Sequence, residues 1–560
     1  MLSMGDQEKH DVAIVGGGVS GLYAGWRILA DARTRGKPVP RVTIYELGDR
    51  IGGRLQTWLP FGPDGGIRAE LGGMRFLDNQ QLLCTLLAEL GFARQDFLPL
   101  HGHGPNLRLL LRGRGTALTT TTPTKRYKVS SSARDKQAAD VLAEVITEVL
   151  GTEENRLVLK ALIGKDCPAD RREWDAVKAE LTWHGRPLWD VGFWNLLSDV
   201  RNPETYQYLC DAFGYYSLAG NWNAAEAMEA LHLDFTPGLH YLTLAEGMQA
   251  LPDTIAEHLT RLGGSVEPGT RLAGFDVGAD GRPSLKLVTG PSTRTTVADQ
   301  LILALPRRSL ELLAPTAAFD LPGDDGLRRL VQAVTPNPAF KLFLWYADRW
   351  WERRGITQGR SVSDLPIRQT YYFAPDGPVR HSAGLLMASY DDARAVDSWH
   401  GLCPTERELA TGRDELHTAM RNFVQRHQLG GAAHDVPRPP PHLSLATEGM
   451  RRHATSQLAR LHGVPEDHIP DADVGAFADW TPDPYGGGWN FWNVGVDVRT
   501  SMARIKQPLG PGTRVHVVGE AYSGLQGWIE GALTATEVTL QRHFGVRQPD
   551  WFPTGYYLGW

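Results

Sequence analysis

Gly16, Gly18 and Gly21 are spaced G-x-G-x-x-G, and a carboxylate, Glu46, lies 25 residues past the last of them. Glycines at that spacing let main chain approach a pyrophosphate, whose charge suits the N–H groups at a helix start. A carboxylate at the end of the following strand accepts the hydroxyls of an adenosine ribose and repels a ribose phosphate. The pattern therefore points to NAD or FAD and away from NADP, against a plain glycine turn as the alternative. Lys341 lies inside the apolar run NPAFKLFLWY. A lysine there is costly to bury unless it has a task, the alternative being an edge strand with the lysine in solvent. His101 and His103 (HGHG) have no third ligand at a sensible spacing, so they are expected to be loop histidines with no metal. The four cysteines, Cys84, Cys167, Cys210 and Cys403, lie at least 43 residues apart and suggest neither a zinc site nor a disulfide framework.

The elements that must position these residues follow from apolar periodicity. DVAIVGGG (11–18) reads as a strand closed by glycines, GLYAGWRILADARTRG as the helix after it, and RVTIYE (41–46) as a second strand. That βαβ unit implies a parallel, doubly wound sheet. Residues 78–100 carry a helical pattern, 101–135 read as loop, and 136–235 as a mainly helical insertion. Strands are expected at 271–277, 300–305, 340–346, 369–373 and 384–390, and PRPPPHL (437–443) reads as a stiff connector. VHVVGE (515–520) gives one more buried strand, followed by a helix over 527–543.

Composition bounds the possibilities. The chain has 560 residues, too many for one small module. Its 58 Lys plus Arg against 64 Asp plus Glu give a net charge of -6 without long single-sign blocks, which argues against nucleic acid or an anionic membrane as partner. No apolar run reaches the ~18 to 20 residues of a membrane helix. The first residues lack the layout of a secretory signal, so a soluble, cytoplasmic protein is expected.

DRIGGRLQT (49–57) follows Glu46 almost at once. Together with G-x-G-x-x-G and the acidic residue, it resembles the FAD-binding start of the flavin monoamine oxidase and L-amino acid oxidase family. VHVVGEAYSGLQGWIEGALTATE (515–537) resembles the family's second flavin signature. The resemblance covers the FAD-binding frame well and the helical insertion poorly. It implies that Gly53 and Arg54 meet the pyrophosphate, and that Gly519, Glu520, Gly527 and Trp528 frame the flavin. Glu520 is expected at the ribityl or phosphate region. Leu272 would bracket adenine through its main chain. Gly488 stands where some members carry a cysteine bonded to the flavin, which implies noncovalent FAD.

For the substrate, Arg75 in AELGGMRF is similar to the arginine with which amino acid oxidases clamp an α-carboxylate, a task that suits a planar guanidinium. A structural ion pair is the alternative. Lys341 matches the lysine that reaches flavin nitrogen 5 through a water. Trp489 and Trp528 match two walls of an aromatic cage. For the tyrosine that assists the arginine, Ser389 falls where the family often has tyrosine and Tyr390 lies one step beyond, and Tyr371 is the residue expected in that role. Trp222, with Phe213 or Tyr215, hints at an aromatic pocket, while Asp190 or Glu226 could select a basic side chain.

The resulting expectation is an α/β protein, α+β overall. A Rossmann-like FAD-binding domain (8–80, 236–315, 505–545) is interleaved with a mixed-sheet substrate domain (81–110, 320–500), and 136–235 form the insertion. The implied activity is oxidation of an L-amino acid to a 2-oxo acid, ammonia and hydrogen peroxide, with oxygen as acceptor, in a homodimer. Alternatives are a flavin monooxygenase that decarboxylates the amino acid to an amide, a monoamine or polyamine oxidase, and a non-enzymatic FAD-binding protein.

Overall fold

The computed structural model describes residues 11–62, 65–97, 106–118, 125–234, 238–373, 382–429 and 435–560. His101, His103 and the segment boundaries at 8 and 235–236 lie outside the described residues. The strand Asp11–Val15 is the centre of a parallel five-stranded sheet. Its neighbours are Arg41–Tyr45 on one side and Gln300–Leu303 on the other, with Ser265–Glu267 and Val515–Val517 at the edges. Period-2 alternation sends Val12 and Ile14 into one core and Ala13 and Val15 into another. The first core is closed by the helices Val19–Thr34, Ala250–Arg261 and Ile529–Thr539. Helix Asp325–Val331 and the strands Thr270–Val277 and Pro283–Thr289 close the second.

An eight-stranded mixed sheet forms the other large layer. Ala339–Tyr346 is buried at every position and pairs antiparallel with Gly384–Asp392 and Val474–Asp479. Beyond Gly384–Asp392 come Gln369–Tyr372, Gly359–Ser363 and then Arg108–Leu111 with Arg114–Ala117.

That last pair corrects the loop expected at 101–135. Arg112 and Gly113 both take positive φ, 48° and 73°, which makes a two-residue hairpin of the twist strands prefer. Leu109 and Leu111 enter the core of the helical region. The helix expected over 78–100 is also shorter, Gln81–Glu89. Gly91 (φ 79°) ends it in a turn, and Arg94–Asp96 then pairs as a strand with Tyr241–Leu244.

Between 138 and 234 six helices pack around one apolar core, interrupted by the small hairpin Thr182–Trp183 and Arg186–Pro187. Pro203–Phe213 shows why its ends fall where they do. The Asn202 side chain accepts from Thr205 N at 2.9 Å, Pro203 opens the first turn, and Gly214 (φ 89°) closes the helix. The turn at Gly214 delivers Tyr215 to the site described next. No helix among the described residues is long and apolar enough to cross a membrane.

Candidate active site

The larger of two adjoining cavities, about 400 Å³, opens where the central strand hands over to its helix. Gly16 needs its positive φ of 104°, and a Cβ there would lie 2.6 Å from Ala304 O. At Gly21 a Cβ would lie 2.0 Å from Gly16 O, so helix and strand pack together only through glycine. Gly18 is different. Its φ of -79° is ordinary, and a Cβ there would meet no protein atom nearer than Gly53 Cα at 3.8 Å. The space it leaves belongs to the cavity. Helix Val19–Thr34 has neither a side-chain cap nor an acidic residue in its first turn, so its leading N–H groups are left for an anion.

Glu46 lines the same cavity and accepts from Gly17 N and Gly48 N at 2.7 Å each. Burial raises its pKa, and those two N–H groups oppose the rise. Leu272 lines the wall from a strand that is bulged between Leu272 and Gly274. Arg54 and Glu520 both line the cavity, and they meet each other. Arg54 Nη2 lies 2.8 Å from Glu520 Oε2 and Nη1 donates to Gly488 O at 2.9 Å. Glu520 also accepts from Gly527 N at 2.7 Å and from Asn490 N at 3.1 Å. Its carboxylate ties the Gly519 turn to the Trp489–Trp492 strand. Gly53, Gly519, Gly527 and Trp528 complete the part of this wall named from sequence.

Arg54, Gly73, Gly488, Gly527 and Trp528 also line the smaller cavity, about 180 Å³, so the two meet there. Arg75 stands just before the strand Phe76–Leu77, whose pairing with Tyr241–Leu244 sets Leu77 opposite Tyr241. The guanidinium lies over the Tyr241 ring at 4.6 Å and the Phe97 ring at 5.6 Å. It donates to Tyr371 Oη and to Tyr215 Oη, both at 3.2 Å. Among the described residues no carboxylate forms an ion pair with Arg75.

Tyr371 thus touches Arg75 from behind, while Tyr215 and Tyr390 line the cavity. Register shifts at Leu342/Phe343 and Gln369/Tyr371 reset which side chains share a face, a displacement that counting along the strands does not show.

Lys341 lines the cavity too. Its ammonium donates to Glu70 O at 2.9 Å and Gly72 O at 2.6 Å and sits over the Tyr390 ring at 4.8 Å. Burial pushes its pKa down to about 7, and burial likewise pushes the Glu70 carboxyl up to about 7. Trp489 and Trp528 both line the cavity. Trp489 meets Tyr215 edge-on at 6.3 Å, and the Trp528 indole N–H donates to Asp234 Oδ2 at 2.7 Å.

Trp222 is in the wall, stacked on Phe491 at 4.0 Å, but Asp190 and Glu226 are elsewhere. Asp190 pairs with Arg186 on the surface, and Glu226 is buried against Lys178. Asp234 and Tyr241 are two of the wall residues that sequence reasoning missed. An acid closing the apolar helix Ala224–Asp234 was the available signal.

Residues 19–430 match the family model of flavin-containing amine oxidoreductases. The chain belongs to that family. It is 24% identical to achacin of Lissachatina fulica, with 95% of this chain and 93% of the relative aligned. It is also 24% identical to an L-amino-acid oxidase of Siganus canaliculatus, over 75% and 71%. A solved structure of putrescine oxidase bound to putrescine matches with a TM-score of 0.64 at 17% identity, covering 96% of this chain and 99% of that one. At that identity the likeness shows the fold alone.

The amine oxidoreductase family is flavin-containing, and the larger cavity fits such a group. Its helix N-terminus is uncapped, and at Gly18 glycine leaves room that no protein atom fills.

Proposed function

We propose that this amine oxidoreductase is an L-amino acid oxidase with noncovalently held FAD. The observation that carries the reading is Arg75, a cation on the cavity wall with aromatic and phenolic partners and no carboxylate partner among the described residues. An α-carboxylate supplies that charge and meets both prongs of the guanidinium. An amine such as putrescine has none to offer, which disfavours the amine oxidase alternative.

In this reading 8–80, 236–315 and 505–545 hold FAD. Gly16, Gly18 and Gly21 with the following helix N-terminus take the pyrophosphate, Glu46 the adenosine ribose, and the Leu272 main chain the adenine. Arg54 and Glu520 act as a pair that fixes the loops carrying Gly53 and Gly527. A cysteine at 488 would bring its Cβ within 2.6 Å of Ala339 Cβ, which supports a noncovalent cofactor.

The bound flavin supplies a two-electron acceptor. Arg75, backed by Tyr371 and Tyr215, anchors the carboxylate, and Trp489 and Trp528 flank the amine, so that Cα and its hydrogen are presented toward the junction of the two cavities. The substrate loses a hydride from Cα and a proton from nitrogen. The resulting imino acid takes up water and releases ammonia and a 2-oxo acid, while oxygen receives two electrons and two protons as hydrogen peroxide. Lys341 places positive charge beside the site where oxygen is reduced.

Oxygen uptake and peroxide should be followed over the twenty L-amino acids, several D forms and the decarboxylated amines, with 2-oxo acid and ammonia assayed. Peroxide with oxo acid from L forms supports the oxidase. Amide with carbon dioxide would assign the monooxygenase, and turnover of amines alone would refute both.

A further inference from the structure

Besides Lys341, which donates to main-chain carbonyls, two side chains of opposite charge line the smaller cavity without an ion-pair partner among the described residues. Arg75 is one; Asp234 is the other. Asp234 is the last residue of helix Ala224–Asp234, where main-chain carbonyls already concentrate negative partial charge. Its Oδ2 accepts from the Trp528 indole at 2.7 Å. The cation acting on it from a distance is Arg171, which itself lies 3.8 Å from Glu229. Burial pushes the Asp234 carboxyl up to about 7. An acid so placed destabilises the helix end and the core around it unless something positive completes it.

The surroundings favour a cation over a proton donor of the protein. Ala230, Leu231, Trp222 and Phe491 supply the nearby apolar wall, with Trp222 and Phe491 stacked at 4.0 Å. Aromatic faces of this kind attract ammonium and guanidinium groups. Tyr241 links the two charges: its ring covers Arg75 at 4.6 Å and its hydroxyl donates to the Asp234 main-chain oxygen at 3.4 Å. Both charges thus line one cavity, where a single bound amino acid can meet the two of them.

We propose that Asp234 selects substrates with a cationic side chain, taking the ammonium or guanidinium end while Arg75 holds the α-carboxylate. The proposal rests on the L-amino acid oxidase reading above and narrows it to basic amino acids. An Asp234 that only oriented Trp528, or met the α-amine, would act on every amino acid alike, and this separates the roles.

The test compares kcat/KM for L-arginine, its uncharged near-isostere L-citrulline, and L-leucine, in the wild type and in Asp234→Asn. The wild type should prefer arginine to citrulline by ~10- to 100-fold, the worth of a hydrogen bond to a charged group. In Asp234→Asn that preference should shrink to about threefold or less, with arginine losing at least ~10 times more than leucine. Equal losses on all three, or an unchanged ratio, would overturn the proposal. Should the variant fail to fold, the wild-type ratio alone decides, because citrulline oxidised as well as arginine contradicts a side-chain acid. Flavin-bound protein that oxidises none of the three sinks the oxidase reading itself, an outcome distinct from loss of selectivity.

Discussion

The walls of the two adjoining cavities are made of different material. Around the larger one the close approaches are main chain on main chain, through Gly16, Gly21 and Gly53, and the Glu46, Arg54 and Glu520 side chains are already matched. Glu46 is met by two N–H groups and Arg54 by Glu520. Around the smaller one the contacts are aromatic, and Arg75 and Asp234 lack ion-pair partners among the described residues. The first is a finished cradle that presents N–H groups to whatever fills it. The second holds charge in a costly state, which on the proposed reading a ligand completes, and such a site trades stability for recognition.

The contrast breaks most severely at the glycines. Gly21→Val would drive a side chain into Gly16 O, where neither strand nor helix can retreat, and should abolish folded, yellow protein. Purification yield and flavin absorbance read this directly. Lys341→Met comes next, with an expected ~10²-fold slowing of flavin reoxidation by oxygen and a far smaller change in reduction by substrate. Stopped-flow traces separate the two halves, and equal slowing would return Lys341 to a packing role.

Gly18→Ala should be milder and more selective, lowering flavin affinity by ~10-fold. The melting temperature of the flavin-free protein should hardly move, since the added methyl points into the cavity. A fall in that melting temperature would show that Gly18 serves the protein instead of its ligand. The smallest effect concerns pH. With Lys341 depressed to about 7 by burial, its charge is present below that pH and lost above it, so wild-type reoxidation should fall severalfold as pH rises from 6 to 9. Glu70 gains its negative charge over the same range. The Lys341→Met profile should be nearly flat, and a matching slope in both proteins would assign the titration elsewhere.

The same contrast decides what could be seen in the sequence. The first cavity is built by a strand, a turn and a helix within 11–34 and by short runs at 46–54 and 515–528, so its glycines and Glu46 are legible from local spacing. The second is a convergence. The two tyrosines bonded to Arg75 come from 140 and 296 residues away. Arg75 was found through its own segment, but its phenolic partners depend on register shifts and on the turn at Gly214. Asp190 and Glu226 are acids of the right type that find cations elsewhere, in Arg186 and Lys178. Asp234 escaped attention because an acid at a helix end is usually solvated, and only the packing of Trp528 against it shows otherwise.

On the proposed reading Arg75, which has no carboxylate partner among the described residues, is kept for the carboxylate of the substrate. The direct measurement is kcat/KM for the best L-amino acid and for its decarboxylated amine, in wild type and in Arg75→Met, with flavin content and melting temperature checked in both. Removing one partner of a buried pair costs about 3 to 5 kcal/mol, so the variant should lose ~10² to 10⁴ on the amino acid. On the amine, which has no carboxylate to clamp, both proteins should be about equally poor. Arg75→Met within roughly threefold of wild type on the amino acid, or a parallel loss on acid and amine, would place the carboxylate site elsewhere and contradict the account.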